Sequence, residues 1–287
     1  MKMAVLLDGK ALAADIRAEI RLQVQSDIAR FGTTPHLVVI LIGDDPASQS
    51  YVRGKENACL KAGIRSTVLR ESQTISEEAL LQIIDRLNAD PGVHGILLQL
   101  PIPRNLNADR IISRIDVRKD VDGFTPENVA ALAGGKPGMV PCTPLGVMRL
   151  LEKYSIGIQG KHCVVVGRSP IVGKPMAWLF LKDNGTVTIC HSKTTDLPSI
   201  TRQADILVVA VGQPGMITEE HVKNGAVVID VGISKINDEI RGDVDFDAVF
   251  PLASHITPVP GGVGPMTIAC LLENTLKCYR RLMESGR

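Results

Sequence analysis

The sequence predicts an α/β fold made of two domains, each built around a parallel β-sheet. The chain has 287 residues, a length that corresponds to about two domains of ordinary size. Short apolar runs rich in valine and isoleucine alternate with helix-like segments along the chain. This alternation is typical of parallel sheets covered by helices. A stretch rich in glycine and proline at 133–144 separates two such series, so we expect the domain boundary or a hinge there.

The first series of elements opens with a segment of clear helical periodicity. Leu12, Ile16 and Ile20 recur at intervals of four residues, as on one face of a helix. The run HLVVILI at 36–42 is continuously apolar, which predicts a strand buried on both faces. The predicted helices of this series lie at 11–31, 48–62 and 76–88, and the predicted strands at 36–42, 66–70 and 95–100.

The second series repeats the strand–helix–strand pattern. A loop rich in glycine and proline at 258–265 precedes its last helix. The predicted strands lie at 162–167, 186–190, 206–211 and 226–231, and the predicted helices at 145–153, 174–182 and 266–281.

Composition argues against several classes of protein. The formal net charge is +1, whereas nucleic-acid-binding proteins usually carry a clear basic excess. No apolar run approaches the roughly 18 residues of a membrane-spanning helix, and the first residues lack the pattern of a secretory signal. The six cysteines and six histidines are scattered without metal-ligand spacing. We therefore expect a cytoplasmic protein without a bound metal or membrane association.

The segment VVVGRSPIVGKP at 164–175 has the context of a dinucleotide-binding turn between a strand and a helix. Gly167 makes the turn, and the helix that starts near Gly173 offers free N–H groups and a dipole that favour a phosphate. Ser169 stands where the usual motif has its second glycine. These features predict that the second domain is a doubly wound, Rossmann-like sheet. The alternative is an ordinary strand–turn–helix without a ligand.

The end of the next strand indicates which dinucleotide is bound. An NAD site usually places a carboxylate here for the ribose 2′-hydroxyl, but the sequence at 190–193 is CHSK. Arg168, Ser192 and Lys193 are suited instead to a 2′-phosphate, since a guanidinium binds phosphate oxygens in a fork. We therefore favour NADP as the cofactor. The alternative is that Arg168 and Lys193 are solvated surface charges.

Four polar residues of the first domain are candidates for the catalytic site. Tyr51 and Lys55 lie four apart on one helix face, and such a pair can perform acid–base chemistry. Gln99 sits at the end of an apolar strand, where it can orient Lys55 or bind a substrate. Asp122, in the turn DVDGF at 120–124, can accept hydrogen bonds from a donor-rich heterocycle. The alternatives are a packed ring beside a surface amine, a glutamine that caps a strand, and a turn aspartate that binds its own backbone.

Taken in order, these motifs give the chain a clear resemblance. They are SYVRGKENA at 50–58, GILLQLPIP at 95–103, DVDGF at 120–124, GRSPIVGKP at 167–175 and PVPGGVGPMT at 258–267. The chain closely resembles the bifunctional methylenetetrahydrofolate dehydrogenase/methenyltetrahydrofolate cyclohydrolase family over nearly its full length. Five separated motifs in the same order make the resemblance far more specific than any one of them.

The resemblance implies an organisation and a set of site residues. It implies a folate-binding catalytic domain at 1–140, completed by the C-terminal helix at 266–287, and an NADP-binding domain at 141–265, with the site in the cleft between them. It also implies a homodimer. The residues that match the family's catalytic and folate-binding positions are Tyr51, Lys55, Gln99, Asp122, Gly261 and Gly262, and those that match its NADP positions are Gly167, Arg168, Ser169, Ser192 and Ile233.

The implied chemistry has two steps and belongs to one-carbon metabolism. Hydride passes from 5,10-methylenetetrahydrofolate to NADP, and water then opens the methenyl bridge to give 10-formyltetrahydrofolate. Lys55 is the candidate for the proton transfers, held by Tyr51 and Gln99, while Asp122 anchors the pterin. Three alternatives stay open: a dehydrogenase without the hydrolytic step, a regulatory nucleotide-binding protein without activity, and an NADP dehydrogenase for another substrate.

Overall fold

A computed structural model describes residues 3–237 and 239–285. The chain divides into two compact units, which we name by their parallel sheets. The six-stranded unit comprises Leu132–Gly135, Thr143–Thr267 and the described part of Met1–Ala13. The three-stranded unit comprises Ala14–Ala131, Lys136–Cys142 and the described part of Ile268–Arg287. The predicted α/β class with parallel sheets is confirmed.

The described residues form strands and helices that alternate along most of the chain. The strands are β1 (Val5–Leu6), β2 (His36–Ile42), β3 (Arg65–Glu71), β4 (Gly95–Leu98), β5 (His162–Val166), β6 (Thr186–Cys190), β7 (Ile206–Val209), β8 (Val227–Asp230), β9 (Ser234–Ile236), β10 (Glu239–Arg241) and β11 (His255–Ile256). The helices are α1 (Gly9–Phe31), α2 (Pro46–Ala62), α3 (Glu77–Ala89), α4 (Ala108–Ile112), α5 (Pro126–Ala133), α6 (Cys142–Lys153), α7 (Gly173–Lys182), α8 (Leu197–Thr201), α9 (Phe246–Val249) and α10 (Val263–Ser285), with a short 3₁₀ turn at Glu219–His221.

The three-stranded unit is built on the buried strand β2. All seven residues of β2 are buried, and β2 pairs in parallel with β3 on one side and β4 on the other. Val38, Ile40 and Ile42 pack with Leu80 and Ile84 of α3 in one apolar core. The continuous apolar run therefore forms the central strand, as its sequence predicts.

Helix α3 is capped by side chains at both ends. The hydroxyl of Ser76 accepts the N–H of Ala79 at 3.2 Å, which satisfies one of the open donors of the first turn. At the other end the Lys119 ammonium is almost fully buried and donates to three main-chain oxygens, those of Leu87, Asn88 and Asp90, at 2.7–2.8 Å. A cation is favourable at a helix C-terminus, where these oxygens lack intrahelical partners.

The sheet of the six-stranded unit has the strand order β1-β11-β8-β7-β5-β6, and its pairings are parallel. The strands β9 and β10 of the same unit form a separate antiparallel hairpin. The chain passes from β6 across β5 to β7, so the order of the strands reverses beside β5. Ligands of such sheets bind outside the carboxyl ends of the strands at this reversal. Gly167 and Arg168 follow β5 at that position.

The strand β1 lies in a different unit from the one the sequence indicated. Its two residues pair with β11, so the start of the described chain completes the six-stranded sheet and is not part of the three-stranded unit. Two residues are too few to give a strand pattern in the sequence. Among the described residues, no helix combines the length and apolar character needed to span a membrane.

Candidate functional site

The structure joins Lys55 and Gln99, which are far apart in the sequence. Lys55 lies on α2, which begins after the Asp45 cap and ends at Gly63 with a positive φ of 77°. Gln99 directly follows β4, and its N–H donates to Ile40. The Lys55 Nζ donates to the Gln99 Oε1 at 3.0 Å.

The Gln99 amide can take only one orientation toward the lysine. Its Nε2 donates to the main-chain oxygen of Leu100 at 2.7 Å, which leaves the amide oxygen facing Lys55. Gln99 is buried, while Lys55 is half-buried. A lysine held at one fixed acceptor is oriented but still within reach of solvent or a ligand.

Tyr51 lies one helical turn before Lys55 on α2. Its side chain keeps 43% of its surface exposed, and the partial burial raises the pKa of the phenol. In the described part of the chain the Tyr51 hydroxyl has no hydrogen-bond partner. The ring is therefore available to a ligand above Lys55 rather than packed into the core.

Asp122 lies in the same electrostatic environment as Lys55. Burial raises the pKa of its carboxyl, and the Lys55 ammonium opposes that rise. The buried thiol of Cys142 lies 3.6 Å from Asp122 Oδ1 and donates to it weakly. The Asp122 carboxylate thus keeps most of its acceptor capacity for a ligand.

The loop that carries Asp122 is fixed by its neighbour Asp120. The buried Asp120 carboxylate accepts the N–H groups of Gly123 and Thr125 at 2.9 and 2.8 Å and the Asn128 amide at 2.9 Å. The amide oxygen of Asn128 accepts in turn from the Met139 N–H at 2.8 Å. Three charge-assisted bonds hold the turn on both sides of Asp122.

Helix α10 supplies a second support for this loop. The Asn274 amide donates to the main-chain oxygens of Val121 and Val140, both at 2.9 Å. Its Nδ2 also lies 3.6 Å from the Cys142 sulfur. Asp120, Asn128 and Asn274 were not among the predicted site residues, because most of their partners are main-chain groups that no motif reveals.

In the six-stranded unit, two glycines bring the turn after β5 close to its neighbours. Gly167 has a φ of 127°, and an added Cβ would lie 2.3 Å from the main-chain oxygen of Ala210. A Cβ at Gly173 would lie 2.2 Å from the Gly167 oxygen. Only glycine fits at both positions, so the strand, the turn and α7 pack tightly here.

The first N–H groups of α7 already have partners, contrary to the expectation that they are free for a phosphate. The Ser169 hydroxyl accepts the main-chain N–H groups of Val172 and Gly173, both at 3.2 Å. The main-chain oxygen of Ser169 accepts the N–H of Lys174. The serine therefore takes the place of an N-cap residue. Its hydroxyl hydrogen is still available to donate to a bound anion.

Arg168 and Ser192 lie side by side at the carboxyl edge of the sheet. Val166 is in register with Cys190, and each candidate follows its strand by two residues. Both side chains are exposed, and neither finds a partner among the described residues. Lys193 is also exposed, and its N–H donates to the His191 ring. The edge thus presents a guanidinium and a hydroxyl that the described part of the chain leaves without a hydrogen-bond or ion-pair partner.

The remaining candidates also belong to the six-stranded unit. Ile233 follows β8 and keeps 42% of its surface exposed, and a Cβ at Gly264 would lie 3.2 Å from its Cδ1. Gly261 has a φ of 112°, and the oxygen of Gly262 would lie 1.8 Å from a Cβ added at Gly9. The missing side chain at Gly9 thus allows the first turn of α1 to pack closely on the loop at Gly262. Near Ile233 are two buried aspartates, Asp230 and Asp243, that the sequence analysis did not identify.

Comparison with known proteins gives one consistent result. Residues 7–122 match the family profile "Tetrahydrofolate dehydrogenase/cyclohydrolase, catalytic domain", and residues 141–283 match the NAD(P)-binding domain of the same family. The "Bifunctional protein FolD" of an Exiguobacterium species is 56% identical over 97% of this chain and 100% of its own length.

Solved structures agree with the sequence comparison. The bifunctional FolD methylenetetrahydrofolate dehydrogenase/cyclohydrolase of Campylobacter jejuni is 49% identical, with a TM-score of 0.95 over 97% of this chain and 99% of that one. The Trypanosoma brucei methylenetetrahydrofolate dehydrogenase-cyclohydrolase, complexed with NADP and an inhibitor, is 39% identical, with a TM-score of 0.95 over 100% of both chains. By sequence and by fold, this chain belongs to the tetrahydrofolate dehydrogenase/cyclohydrolase family.

Proposed function

We propose that the chain oxidises 5,10-methylenetetrahydrofolate with NADP and then hydrolyses the methenyl product to 10-formyltetrahydrofolate. The family membership supports both reactions, and the 3.0 Å bond between Lys55 and Gln99 carries the proposal for the second. The first reaction removes a hydride from the methylene carbon. The second adds water to the methenyl carbon, breaks one carbon–nitrogen bond and releases a proton.

The residues at the carboxyl edge of the six-stranded sheet fit NADP. The close turn at Gly167 leaves no side chain between the backbone and a pyrophosphate. Arg168 and Ser192 would hold the 2′-phosphate, Ser169 would donate its hydroxyl hydrogen to a phosphate oxygen, and Ile233 would contact the cofactor. When bound, NADP accepts the hydride, and the protein's part is to hold the two reactants in contact.

Lys55 is the residue we assign to proton transfer in the hydrolysis. A neutral amine accepts a proton from the attacking water, and the ammonium returns a proton to the nitrogen that leaves. Gln99 holds the amine in place through its fixed amide oxygen. Tyr51, exposed on the same helix face, stacks on or hydrogen-bonds the substrate.

Asp122 is the residue we assign to the pterin. Its half-buried carboxylate has only a weak thiol donor, so it can accept hydrogen bonds from the amino group and ring N–H of the heterocycle. Such a pair of parallel bonds fixes the ring plane and therefore the direction in which the one-carbon bridge points.

The wider organisation follows the family by analogy. We assign the folate to the three-stranded unit with its catalytic residues, and NADP to the six-stranded unit. We assign the loop at Gly261 and Gly262 to the folate side. A homodimer and a cytoplasmic location complete the proposal, and the six buried cysteine thiols are consistent with a reducing compartment.

A spectrophotometric assay of the purified protein tests the proposal. The protein is given methylenetetrahydrofolate with NADP or with NAD, and separately methenyltetrahydrofolate alone. We expect NADP reduction and accelerated loss of the methenyl absorbance. NADP reduction without methenyl loss would reduce the function to a dehydrogenase, and binding without turnover would favour a regulatory protein.

The variant Lys55→Met tests the assignment of the lysine. We expect it to lose most of the hydrolysis, by about 100-fold or more, because general acid–base catalysis contributes about this much. The matched control is Lys61→Met on the exposed end of the same helix, which should hydrolyse at the wild-type rate. Hydrolysis by Lys55→Met at the control rate would remove Lys55 from this role.

A further inference from the structure

Two buried carboxylates lie next to the loop that carries Ile233, one of the residues assigned to NADP. Asp230 is the last residue of β8 and is 3% exposed, and Asp243, just after β10, is fully buried. Burying a carboxylate is costly unless hydrogen-bond donors surround it. Among the described residues, the donors to this pair are main-chain N–H groups of loops at the carboxyl edge of the six-stranded sheet.

Asp230 ties both sides of the β9–β10 hairpin together. Its Oδ1 accepts the N–H groups of Gly232 and Asp243 at 2.9 and 3.0 Å, and its Oδ2 accepts from Val244 at 2.9 Å. Gly232 lies just before the hairpin in the sequence, and Val244 lies just after it. One carboxylate therefore fixes the residue directly before Ile233.

Asp243 connects this point to the loop after β7. Its Oδ2 accepts the N–H groups of Val211 and Gly212 at 2.7 and 2.9 Å. A Cβ at Gly232 would lie 2.2 Å from the Asp243 Cγ, so the carboxyl group packs directly on the Gly232 backbone. The Asp243 Oδ1 is buried without a hydrogen-bond partner among the described residues.

We propose that Asp230 and Asp243 are positioning residues, which hold the loops after β7 and β8 so that Ile233 can meet NADP. Neither carboxylate is itself a contact of the cofactor. The inference rests on the proposed function, because it takes the NADP role of Ile233 from there. The inference adds that the affinity for NADP depends on two buried side chains that do not touch the cofactor.

The two carboxylates differ in whether the amide of an asparagine can replace them. Both oxygens of Asp230 accept main-chain N–H groups, so the NH₂ group of an asparagine would face a donor at either position. Asp243 accepts through one oxygen only, and an asparagine can put its NH₂ group where the partnerless oxygen lies. An asparagine should therefore disrupt position 230 but substitute well at position 243.

The test compares Asp230→Asn, Asp243→Ala and Asp243→Asn. Two quantities are measured for each: the affinity for NADPH by its fluorescence, and the hydrolysis of methenyltetrahydrofolate without any nucleotide. The matched control is Asp245→Asn, since Asp245 caps only the short helix α9. The nucleotide-free hydrolysis reports on folding independently of the cofactor loops.

We expect Asp230→Asn and Asp243→Ala to weaken NADPH binding about tenfold, as for the loss of one ordinary hydrogen bond, while hydrolysis stays near the wild-type rate. Asp243→Asn should recover affinity to within about threefold of wild type. If Asp230→Asn does not fold, the difference in NADPH affinity between Asp243→Ala and Asp243→Asn still tests the proposal.

Three results would overturn the inference: unchanged affinity in folded Asp230→Asn or Asp243→Ala, no recovery in Asp243→Asn, or equal loss of binding and hydrolysis. A wild-type protein that binds NADPH but turns over neither folate would contradict the proposed function and leave the binding test of the two aspartates intact.

Discussion

Replacing Gln99 by glutamate puts a negative charge where the structure places a neutral acceptor for Lys55. The Gln99 Oε1 lies 3.0 Å from the Lys55 Nζ, and a glutamate would keep an oxygen toward the ammonium although it loses the amide's bond to the Leu100 oxygen. A carboxylate at this distance favours the charged form of the amine. Because hydrolysis needs the neutral amine as a base, we expect the pH–rate profile to move to higher pH.

The distance sets the size of the shift. Two unit charges 3.0 Å apart attract by about 5 kcal/mol at an effective dielectric constant of about 20, and by about 1.4 kcal/mol in bulk water. Lys55 is half-buried, so its environment lies between these limits. Since 1.4 kcal/mol corresponds to one pH unit, the profile should move by at least about one unit, and hydrolysis at pH 7 should fall about tenfold or more.

The assay follows the loss of methenyl absorbance from pH 6 to pH 9, with the uncatalysed rate subtracted at each pH. Gln25→Glu on the exposed side of α1 makes the same change of charge away from the site and should keep the wild-type profile. An unmoved profile in Gln99→Glu would refute the role of Lys55 as the base in the hydrolysis. A rate that stays low at pH 9 would show instead that the loss comes from disturbed geometry.

Three other predictions concern the cofactor, the helix cap and pH. Arg168→Ala should raise the Michaelis constant for NADP far more than that for NAD, because the guanidinium is assigned to the 2′-phosphate; equal changes in steady-state assays would contradict this. Lys119→Met should lower the free energy of unfolding in urea by about 1–3 kcal/mol, because it removes the donor from the half-buried main-chain oxygens of Leu87 and Asn88 at the end of α3, whereas Lys61→Met should cost almost nothing. Burial raises the pKa of Asp230 from 3.8 to about 6, so the folded protein binds this proton more tightly than the unfolded chain does. The contribution of Asp230 to stability should therefore fall by up to about 3 kcal/mol as the pH rises from 4 to 7, and Asp230→Asn should lack this part of the pH dependence.

The sequence predicts the elements whose pattern is local and strong. The buried strand β2 and the strand β6 have their predicted bounds, since a continuous apolar run defines β2 and β-branched residues between turn residues define β6. The proximity of Arg168 and Ser192 also follows from sequence, because both come two residues after neighbouring parallel strands. Such features can be predicted from the residues of a short segment alone.

Features that depend on distant main-chain groups escape that analysis. Ser169 resembles a phosphate ligand in the motif, but its hydroxyl accepts two N–H groups of the following turn and helix. Asp120 resembles an ordinary turn residue, yet it orders the loop around Asp122 through Asn128. Their roles depend on which main-chain groups the fold brings near them, and the spacing of residues in a motif does not predict this.

The pairing of β1 with β11 has a consequence for the order in which the protein can form during synthesis. Val5 emerges from the ribosome 250 residues before its partner His255. At roughly 5–20 residues per second, tens of seconds separate the two segments. The three-stranded sheet of β2, β3 and β4 is complete in sequence long before, at Leu98. During synthesis β1 therefore stays without its partner strand while the other sheet can already fold, and the larger sheet is completed only after β11 has been made.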